Sequence, residues 1–130
     1  MVTDPIADML TRLKNAARAK HPSVTVPFSK LKFAVAETLA RAGYIKGVNK
    51  KGKKVKKYLE FDLVYTDKEP KLTEVRRVSK SSRRVYHGVK DIKSIRQGFG
   101  LAVYSTPKGV LTDKEARTAK VGGEILATIW

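Results

Sequence analysis

The chain has 130 residues, with 28 lysines and arginines against 12 aspartates and glutamates, which gives a formal net charge of +16 at pH 7. So large an excess favours a polyanionic partner, with nucleic acid as the first candidate and an anionic membrane surface as the second. Cysteine is absent, which excludes disulfides, thiol catalysis and cysteine-based zinc sites, and a hydrophobic share of 42% argues against wholesale disorder.

The N-terminal segment predicts a helix followed by a short strand. Asp4 as N-cap and Pro5 as the first helical residue are a typical helix start. His21 precedes Pro22 and therefore avoids the helical region, which ends the helix there. Residues 24–26 predict a short strand that stops at a proline. Apolar residues at helical spacing form the buried stripe of the helix, which consists of Ile6, Met9, Leu10, Leu13 and Ala17.

A second helix and two strands follow. Ser29 is its N-cap and Gly43 supplies its stop. Residues 44–48 and 58–65 predict two strands joined by a lysine-rich turn. The second strand alternates apolar with acidic residues, as a half-buried strand does. The residues expected to share the buried face of the second helix are Leu31, Val35 and Leu39.

The second half of the chain is predicted to be mainly β. Residues 66–71 are the only linker-like segment and mark a domain boundary. Residues 72–78 predict a strand, residues 85–87 a weaker extended piece and residues 91–96 a short helical turn. A further strand is expected over residues 100–104.

The last quarter of the chain carries the sharpest local signals. Residues 105–109 contain two hydroxyl residues, a proline and a glycine, which predicts a tight loop. Thr112 followed three residues later by Glu115 is a capping box, so a helix should start directly after Thr112. A glycine pair then interrupts the chain, and residues 124–130 alternate as a strand.

These elements predict an α+β protein of two small packed domains. The N-terminal domain, residues 1–65, has the order α-β-α-β-β. The C-terminal domain, residues 72–130, is mainly β with one capped helix, and residues 66–71 link the two.

Two basic clusters are suited to phosphates. The first is a lysine hairpin, for which we expect backbone contact with little sequence selectivity and keep a solvated turn as the alternative. The second contains Arg83 and Arg84 and is followed by Tyr86, whose ring either stacks on an exposed base or packs within the domain. Other members of the second cluster are Arg76, Arg77 and Lys80. The six lysines of the hairpin are Lys50, Lys51, Lys53, Lys54, Lys56 and Lys57.

Two lightly charged segments offer hydrogen bonds instead. The hydroxyls of Ser105 and Thr106 both donate and accept, so they can reach 2′-hydroxyls and base edges in the RNA minor groove, although spacing alone would favour a plain turn. Glu124 follows the glycine pair and could accept from an amino group or a 2′-hydroxyl. The alternative for Glu124 is an ion pair with a nearby lysine.

Several segments, in the same order, resemble the bacterial small-subunit ribosomal protein S8 family. They are the opening run over residues 4–17, the Val-Pro-Phe-Ser-Lys-Leu-Lys run over 26–32, the Gly-Tyr-Ile run over 43–45, the Ser-Thr-x-x-Gly motif over 105–109, the Gly-Gly-Glu run over 122–124 and the terminal Trp130. The chain departs from the family pattern at Ser81-Ser82, where Pro-Gly is usual. A second departure is Tyr104, where an aliphatic residue is general.

The resemblance implies a cytoplasmic constituent of the small ribosomal subunit that binds directly to the central domain of 16S ribosomal RNA and supports subunit assembly. It also implies neighbouring small-subunit ribosomal proteins as partners and, as in some members, binding to its own messenger RNA. The C-terminal domain would supply most specific contacts. The residues expected at the RNA are Ser105, Thr106, Pro107, Lys108, Gly109, Gly122, Gly123, Glu124, Tyr86, Arg83 and Arg84, with backbone contacts from Thr3, Asn15, Lys30 and Lys32.

Other classes of protein fit the sequence less well. The two histidines, His21 and His87, lie in no catalytic motif, and no phosphate-binding loop of the P-loop type is present, so we expect no enzyme, cofactor or metal. A non-specific nucleic-acid chaperone or architectural DNA-binding protein is the alternative that charge alone would allow. A transmembrane helix is not expected, because no run approaches roughly 18 apolar residues, and a peripheral membrane binder is disfavoured because no helix pairs a basic face with exposed Trp or Phe.

Overall fold

A computed structural model describes residues 5–53, 56–66, 69–80, 82–93 and 100–130. The chain forms two compact units, the first ending at Thr73 and the second beginning at Glu74. Helices and antiparallel sheets occur together in the described residues, which confirms the α+β class. The domain limits of 1–65 and 72–130 stay a proposal.

The N-terminal unit places two helices with a three-stranded antiparallel sheet. Its elements are α1 (Pro5–Arg18), β1 (Ser23–Pro27), α2 (Lys30–Arg41), β2 (Ile45–Lys53), β3 (Lys56–Leu63), β4 (Tyr65–Thr66) and β5 (Glu69–Pro70). The sheet order is β1-β3-β2, and β4 pairs with β5 in a separate two-stranded ladder. The predicted order α-β-α-β-β is therefore confirmed up to β3.

The predicted buried residues agree with the structure in α1 but only partly in α2. In α1 every residue of the predicted stripe is buried. In α2 the prediction for Leu31 is wrong, since this side chain is 44% exposed. Around the helix Leu31 lies between Val35 and Thr38, which are both buried, so its phase is not the cause; it lies in the first turn, at the end of α2. Lys32 takes the inward position, burying its stem while its Nζ donates to the Pro27 carbonyl at 3.2 Å.

The lysine hairpin is a paired ladder rather than a long turn. The sequence predicts strands over 44–48 and 58–65 with a turn between them, but the pairing of β2 with β3 runs from Ile45↔Leu63 to Lys53↔Lys56. The length of these strands follows from their pairing across the ladder, which extends beyond the apolar residues into the lysines. Most of the lysines therefore belong to strands.

The C-terminal unit is one five-stranded antiparallel sheet with a helix. Its elements are β6 (Val75–Arg77), β7 (Tyr86–His87), a 3-10 turn (Val89–Asp91), β8 (Leu101–Thr106), β9 (Gly109–Thr112), α3 (Asp113–Ala119) and β10 (Gly123–Ile129). Strand β10 is central: β8 pairs with one of its edges, β6 and β7 pair with the other edge, and β9 lies outside β8. The predicted mainly-β unit with one capped helix is confirmed.

One predicted boundary in this unit is wrong and one signal is confirmed. The strand expected over 72–78 is only the three residues of β6. A 3-10 turn covers 89–91, and the helical turn expected over 91–96 falls partly on residues 94–99, which lie outside the described residues. The capping box is present in full: Glu115 N–H donates to Thr112 Oγ1 at 3.1 Å, and Thr112 N–H donates to Glu115 Oε1 at 3.0 Å.

The three helices of the described chain end in the same way. Each is followed by a residue in the left-handed region, namely Lys20 (φ 60), Gly43 (φ 86) and Lys120 (φ 57). The next N–H then reaches back into the last turn, as that of His21 does at 3.0 Å. This motif ends α1 three residues before the predicted stop at His21-Pro22.

Candidate nucleic-acid interface

Three of the predicted site residues form a row across three neighbouring strands. Glu124 on β10 is paired with Ser105 on β8 and with Tyr86 on β7. Directly paired residues of an antiparallel sheet project from the same face. With strands about 4.8 Å apart, the row spans about 10 Å. We call Ser105, Glu124 and Tyr86 the selectivity row; it combines a hydroxyl, a carboxylate and a ring that is 68% exposed.

The carboxylate of Glu124 is held in place by two groups of the protein, a serine hydroxyl and an arginine guanidinium. The fully buried Ser79 donates its hydroxyl hydrogen to Glu124 Oε2 and accepts from the N–H of Val85 at 3.1 Å. Arg84 NH1 lies 3.2 Å from the same Oε2. The ion pair considered from the sequence therefore exists, but its cation is an arginine rather than a lysine. Both bonds engage Oε2, so neither of these two partners occupies Oε1.

The two hydroxyl residues of the Ser-Thr motif are not equivalent. Ser105 and Thr106 both belong to β8, and Gly109 already belongs to β9, so the predicted loop is only the Pro107-Lys108 turn. Successive strand residues project from opposite faces. Thr106 also uses its hydroxyl internally: it donates to the Gly109 carbonyl at 2.7 Å and accepts from Lys108 N–H at 3.1 Å.

Ser105 keeps its hydrogen-bonding capacity. No hydrogen bond of its hydroxyl is found within the part of the chain that the structure describes. A free hydroxyl beside a fixed carboxylate can donate to an acceptor and accept from a donor at the same time. Ser105 is therefore the adaptable member of the selectivity row.

The glycine pair is required by close approach between strands of the protein itself. A Cβ on Gly123 would lie 2.2 Å from the carbonyl oxygen of Ser105, and one on Gly122 would lie 2.5 Å from that of His87. Both obstacles are backbone atoms. The glycines thus bring β7, β8 and β10 together, and their contact with RNA stays a prediction.

Within the arginine cluster, Arg84 reaches the selectivity row through its middle member, Glu124. Lys80 and Arg83 close a two-residue turn through reciprocal backbone hydrogen bonds of 2.8 and 3.0 Å. Ser81 lies outside the described residues. Arg83 and Arg84 are exposed, whereas Arg77 donates to the carbonyl of Leu126 and so serves the sheet.

The predicted contacts of the N-terminal unit have varied surroundings. Asn15 on α1 and Lys30 at the start of α2 are exposed, and Lys32 is buried. Thr3 lies outside the described residues. Because Lys32 is buried and its Nζ donates to the Pro27 carbonyl, little of its ammonium group is accessible to RNA.

The lysines of the hairpin are partly engaged by the protein. Lys50 Nζ lies 4.5 Å and Lys57 Nζ 5.9 Å from the centre of the Phe28 ring, as in cation–π pairs. Lys51 Nζ forms an ion pair with Glu60 at 3.0 Å, and the hydrogen bond and charge of that carboxylate raise the pKa of Lys51. Lys54 and the side chains of residues 53 and 56 are outside the description.

Tyr104, the second departure from the family pattern, belongs to the core. It is 1% exposed and packs with Ala102, Ala116 and Ile125. Its hydroxyl lies 2.8 Å from Nδ1 of His87. Burial raises the pKa of Tyr104 to about 12. No feature of the sequence pointed to the pairing with His87, because the two residues meet only through the strand order.

Further kinds of site are absent from the described ranges. Within them, no three metal-ligating side chains come together, and no helix has the length and apolar character needed to cross a membrane.

Comparison with known proteins gives one consistent family. The model of the family described as ribosomal protein S8 matches residues 4–130. Similar chains include the small ribosomal subunit protein uS8 of Novosphingobium aromaticivorans, 49% identical over 99% of this chain and 98% of the relative. That of Thermus aquaticus is 47% identical over the whole of both chains. That of Mycoplasmopsis pulmonis is 45% identical over all of this chain and 98% of the relative.

Proposed function

Because the chain belongs to the ribosomal protein S8 family, we propose that it binds directly to the central domain of 16S ribosomal RNA and supports assembly of the small subunit. Like its relatives it is a non-enzymatic protein of the small ribosomal subunit, an RNA-binding component of the bacterial cytoplasm. Neighbouring small-subunit proteins are further partners, and we extend the proposal to its own messenger RNA.

The selectivity row is the observation that carries this proposal. It presents a free hydroxyl, a fixed carboxylate and an exposed aromatic ring on one face of one sheet. RNA loops and shallow minor grooves display unstacked bases, 2′-hydroxyls and amino groups, which match these three chemistries. A row of this kind selects among RNA structures, because a wrong partner leaves the carboxylate against a phosphate or without a donor.

Attraction is supplied by a different set of residues. Lysines and arginines on the surface neutralise phosphates with little regard to sequence. We assign Arg83 and Arg84 to phosphates bordering the row. The further proposed contacts are Thr106, Pro107, Lys108, Gly109, Gly122 and Gly123 around the row, Thr3, Asn15, Lys30 and Lys32 from the N-terminal unit, and the six lysines of the hairpin.

The test separates selection from attraction. Ser105→Ala removes the free hydroxyl without disturbing the turn that Thr106 holds. We expect affinity for a central-domain fragment of 16S RNA to fall by about 1–3 kcal/mol, while affinity for a random RNA of equal length stays unchanged. Ser82→Ala removes an exposed hydroxyl outside the row in the same unit and is the matched control. Filter binding or fluorescence anisotropy at several salt concentrations measures both affinities.

An equal loss for the two RNAs after Ser105→Ala would contradict the proposal. So would footprinting of whole 16S RNA that gives scattered protection instead of protection of one central-domain helix. Either outcome would favour the non-specific nucleic-acid chaperone or architectural DNA-binding protein.

A further inference from the structure

The hydrogen bond between Tyr104 and His87 lies on the opposite side of the sheet from the selectivity row. Tyr104 directly precedes Ser105 on β8, and His87 directly follows Tyr86 on β7. Since neighbouring strand residues alternate between faces, the pair occupies the reverse face, and it runs diagonally across β10, because His87 is paired with Gly123 and Tyr104 with Ile125. The bond joins β7 to β8, two strands that are each paired with β10 but not with each other.

Strand β7 has few other attachments to the sheet. It consists of two residues, which pair with Gly123 and Glu124 at one end of β10. One further backbone bond, from the N–H of Ile125 to the carbonyl of Val85 at 3.0 Å, lies beside it. Short edge strands open easily because few hydrogen bonds and little buried area resist their separation. An additional bond of 2.8 Å from a buried partner is therefore a large share of what holds β7.

The position of the Tyr86 ring depends on β7. The ring is 68% exposed and makes no ring contact in the described part of the chain. Only the backbone of β7 keeps it beside Glu124. Tyr104 by contrast is clamped in the core, and its ring also contacts the His87 ring at a centroid distance of 5.8 Å. The buried Tyr104 thus holds strand β7, and β7 carries the exposed Tyr86.

We propose that Tyr104 and His87 are positioning residues, whose hydrogen bond fixes β7 so that Tyr86 is preorganised beside Glu124 for RNA. The inference rests on the proposed function, in which Tyr86 contacts RNA. Preorganisation raises affinity because the ordering of β7 is completed before the RNA arrives. The family pattern generally has an aliphatic residue at the position of Tyr104. The fold therefore does not require the hydrogen bond to His87, which is an addition in this chain.

The test is a double-mutant cycle in the full-length protein. Tyr104→Phe removes the hydroxyl and keeps the packed ring. We expect it to lower affinity for the central-domain RNA fragment by about threefold to tenfold and to leave random RNA unaffected. In a Tyr86→Leu background the same change should cost nothing, because no ring remains to be positioned. His87→Leu should reproduce the loss, and the Tyr104→Phe/His87→Leu double variant should lose no more than either alone.

A purely structural role would give a different pattern. Thr112→Ala destabilises the same unit at its helix cap without touching β7, and we expect it to leave affinity for the fragment unchanged. Amide hydrogen exchange at Tyr86 and His87 should accelerate in Tyr104→Phe but not in Thr112→Ala.

The outcomes distinguish this inference from the proposed function. If Tyr86→Leu weakens binding to the fragment but Tyr104→Phe does not, or if Tyr104→Phe costs as much in the Tyr86→Leu background, only the tether is refuted. If Tyr86→Leu has no effect on the fragment, the proposed RNA contact and the tether fall together. If Ser105→Ala also affects both RNAs equally, the selectivity row as a whole is refuted.

Discussion

Replacement of Gly123 by alanine tests the close approach of β10 to β8 most directly. The new Cβ would lie 2.2 Å from the Ser105 carbonyl oxygen and 3.0 Å from its carbon, whereas ordinary contact begins at 3.4 Å. The strands would have to separate by roughly 1 Å, because the obstacle is backbone and cannot rotate away. Overpacking of this kind costs about 1–3 kcal/mol. That is a large part of the total stability of a small domain.

Urea unfolding followed by tryptophan fluorescence measures this loss. The chain has one tryptophan, Trp130, whose backbone pairs with Glu74 in the C-terminal unit at 2.8 and 3.0 Å. We expect Gly123→Ala to lower the midpoint of this transition with an unchanged slope. Affinity for the cognate RNA should fall as well, since Ser105 and Glu124 are displaced relative to each other.

Gly47→Ala is the matched control in the N-terminal unit. A Cβ there meets nothing within 4 Å, and the backbone is in an ordinary region. This change should leave the fluorescence transition unaltered and stabilise its own unit by about 0.4–1 kcal/mol through the unfolded state. If Gly123→Ala proved as stable as the parent chain and bound RNA equally well, the glycine would not be required by strand approach.

Four further outcomes follow from the structure. Thr112→Ala should lower the stability of the C-terminal unit by about 1 kcal/mol in the same fluorescence assay, because the cap of α3 is lost. Lys120→Gly should raise the stability of this unit by up to about 1 kcal/mol, because glycine adopts the left-handed conformation of this position at lower cost than lysine. Lys120→Ala should give no such gain. The pKa of Tyr104 is raised to about 12 in the folded state. The contribution of Tyr104 to the free energy of unfolding is therefore complete below pH about 10 and is lost as pH rises towards about 12. Tyr104→Phe should lack this part of the alkaline decline, roughly 2–3 kcal/mol. Lys57→Gln should reduce the salt dependence of RNA binding by up to ~1 in slope, and Lys51→Gln by less because a carboxylate already offsets its charge.

Local signals in the sequence were sufficient for the presence of the three helices and for the N-caps of α2 and α3. Ser29 accepts from the N–H of Lys32 at 3.1 Å as an N-cap should, and Thr112 with Glu115 forms the expected box. These signals work because donor and acceptor lie within one turn of each other. Burial in the first turn of α2 was less secure: the apolar character of Leu31 predicted that it is buried, but Leu31 is exposed and the stem of Lys32 is buried there.

Strand limits and the selectivity row depended on pairing that no local pattern encodes. The chemistry of their side chains made Tyr86, Ser105 and Glu124 candidates one by one. Their spacing in the sequence does not show that they lie side by side, because the strand order of the sheet brings them together. Alternation along β8 then separates Ser105 from Thr106, which a loop assignment had treated as one unit. The Tyr104–His87 bond was missed for the same reason.

The central place of β10 has a consequence for folding during synthesis. In the N-terminal unit every strand finds its partner before residue 73. That unit can close while the remainder of the chain is still being translated. In the C-terminal unit β6, β7 and β8 all pair with β10, the strand made last among the five. Its sheet therefore stays open until β10 has been made and has left the exit tunnel, and the selectivity row forms only at that stage.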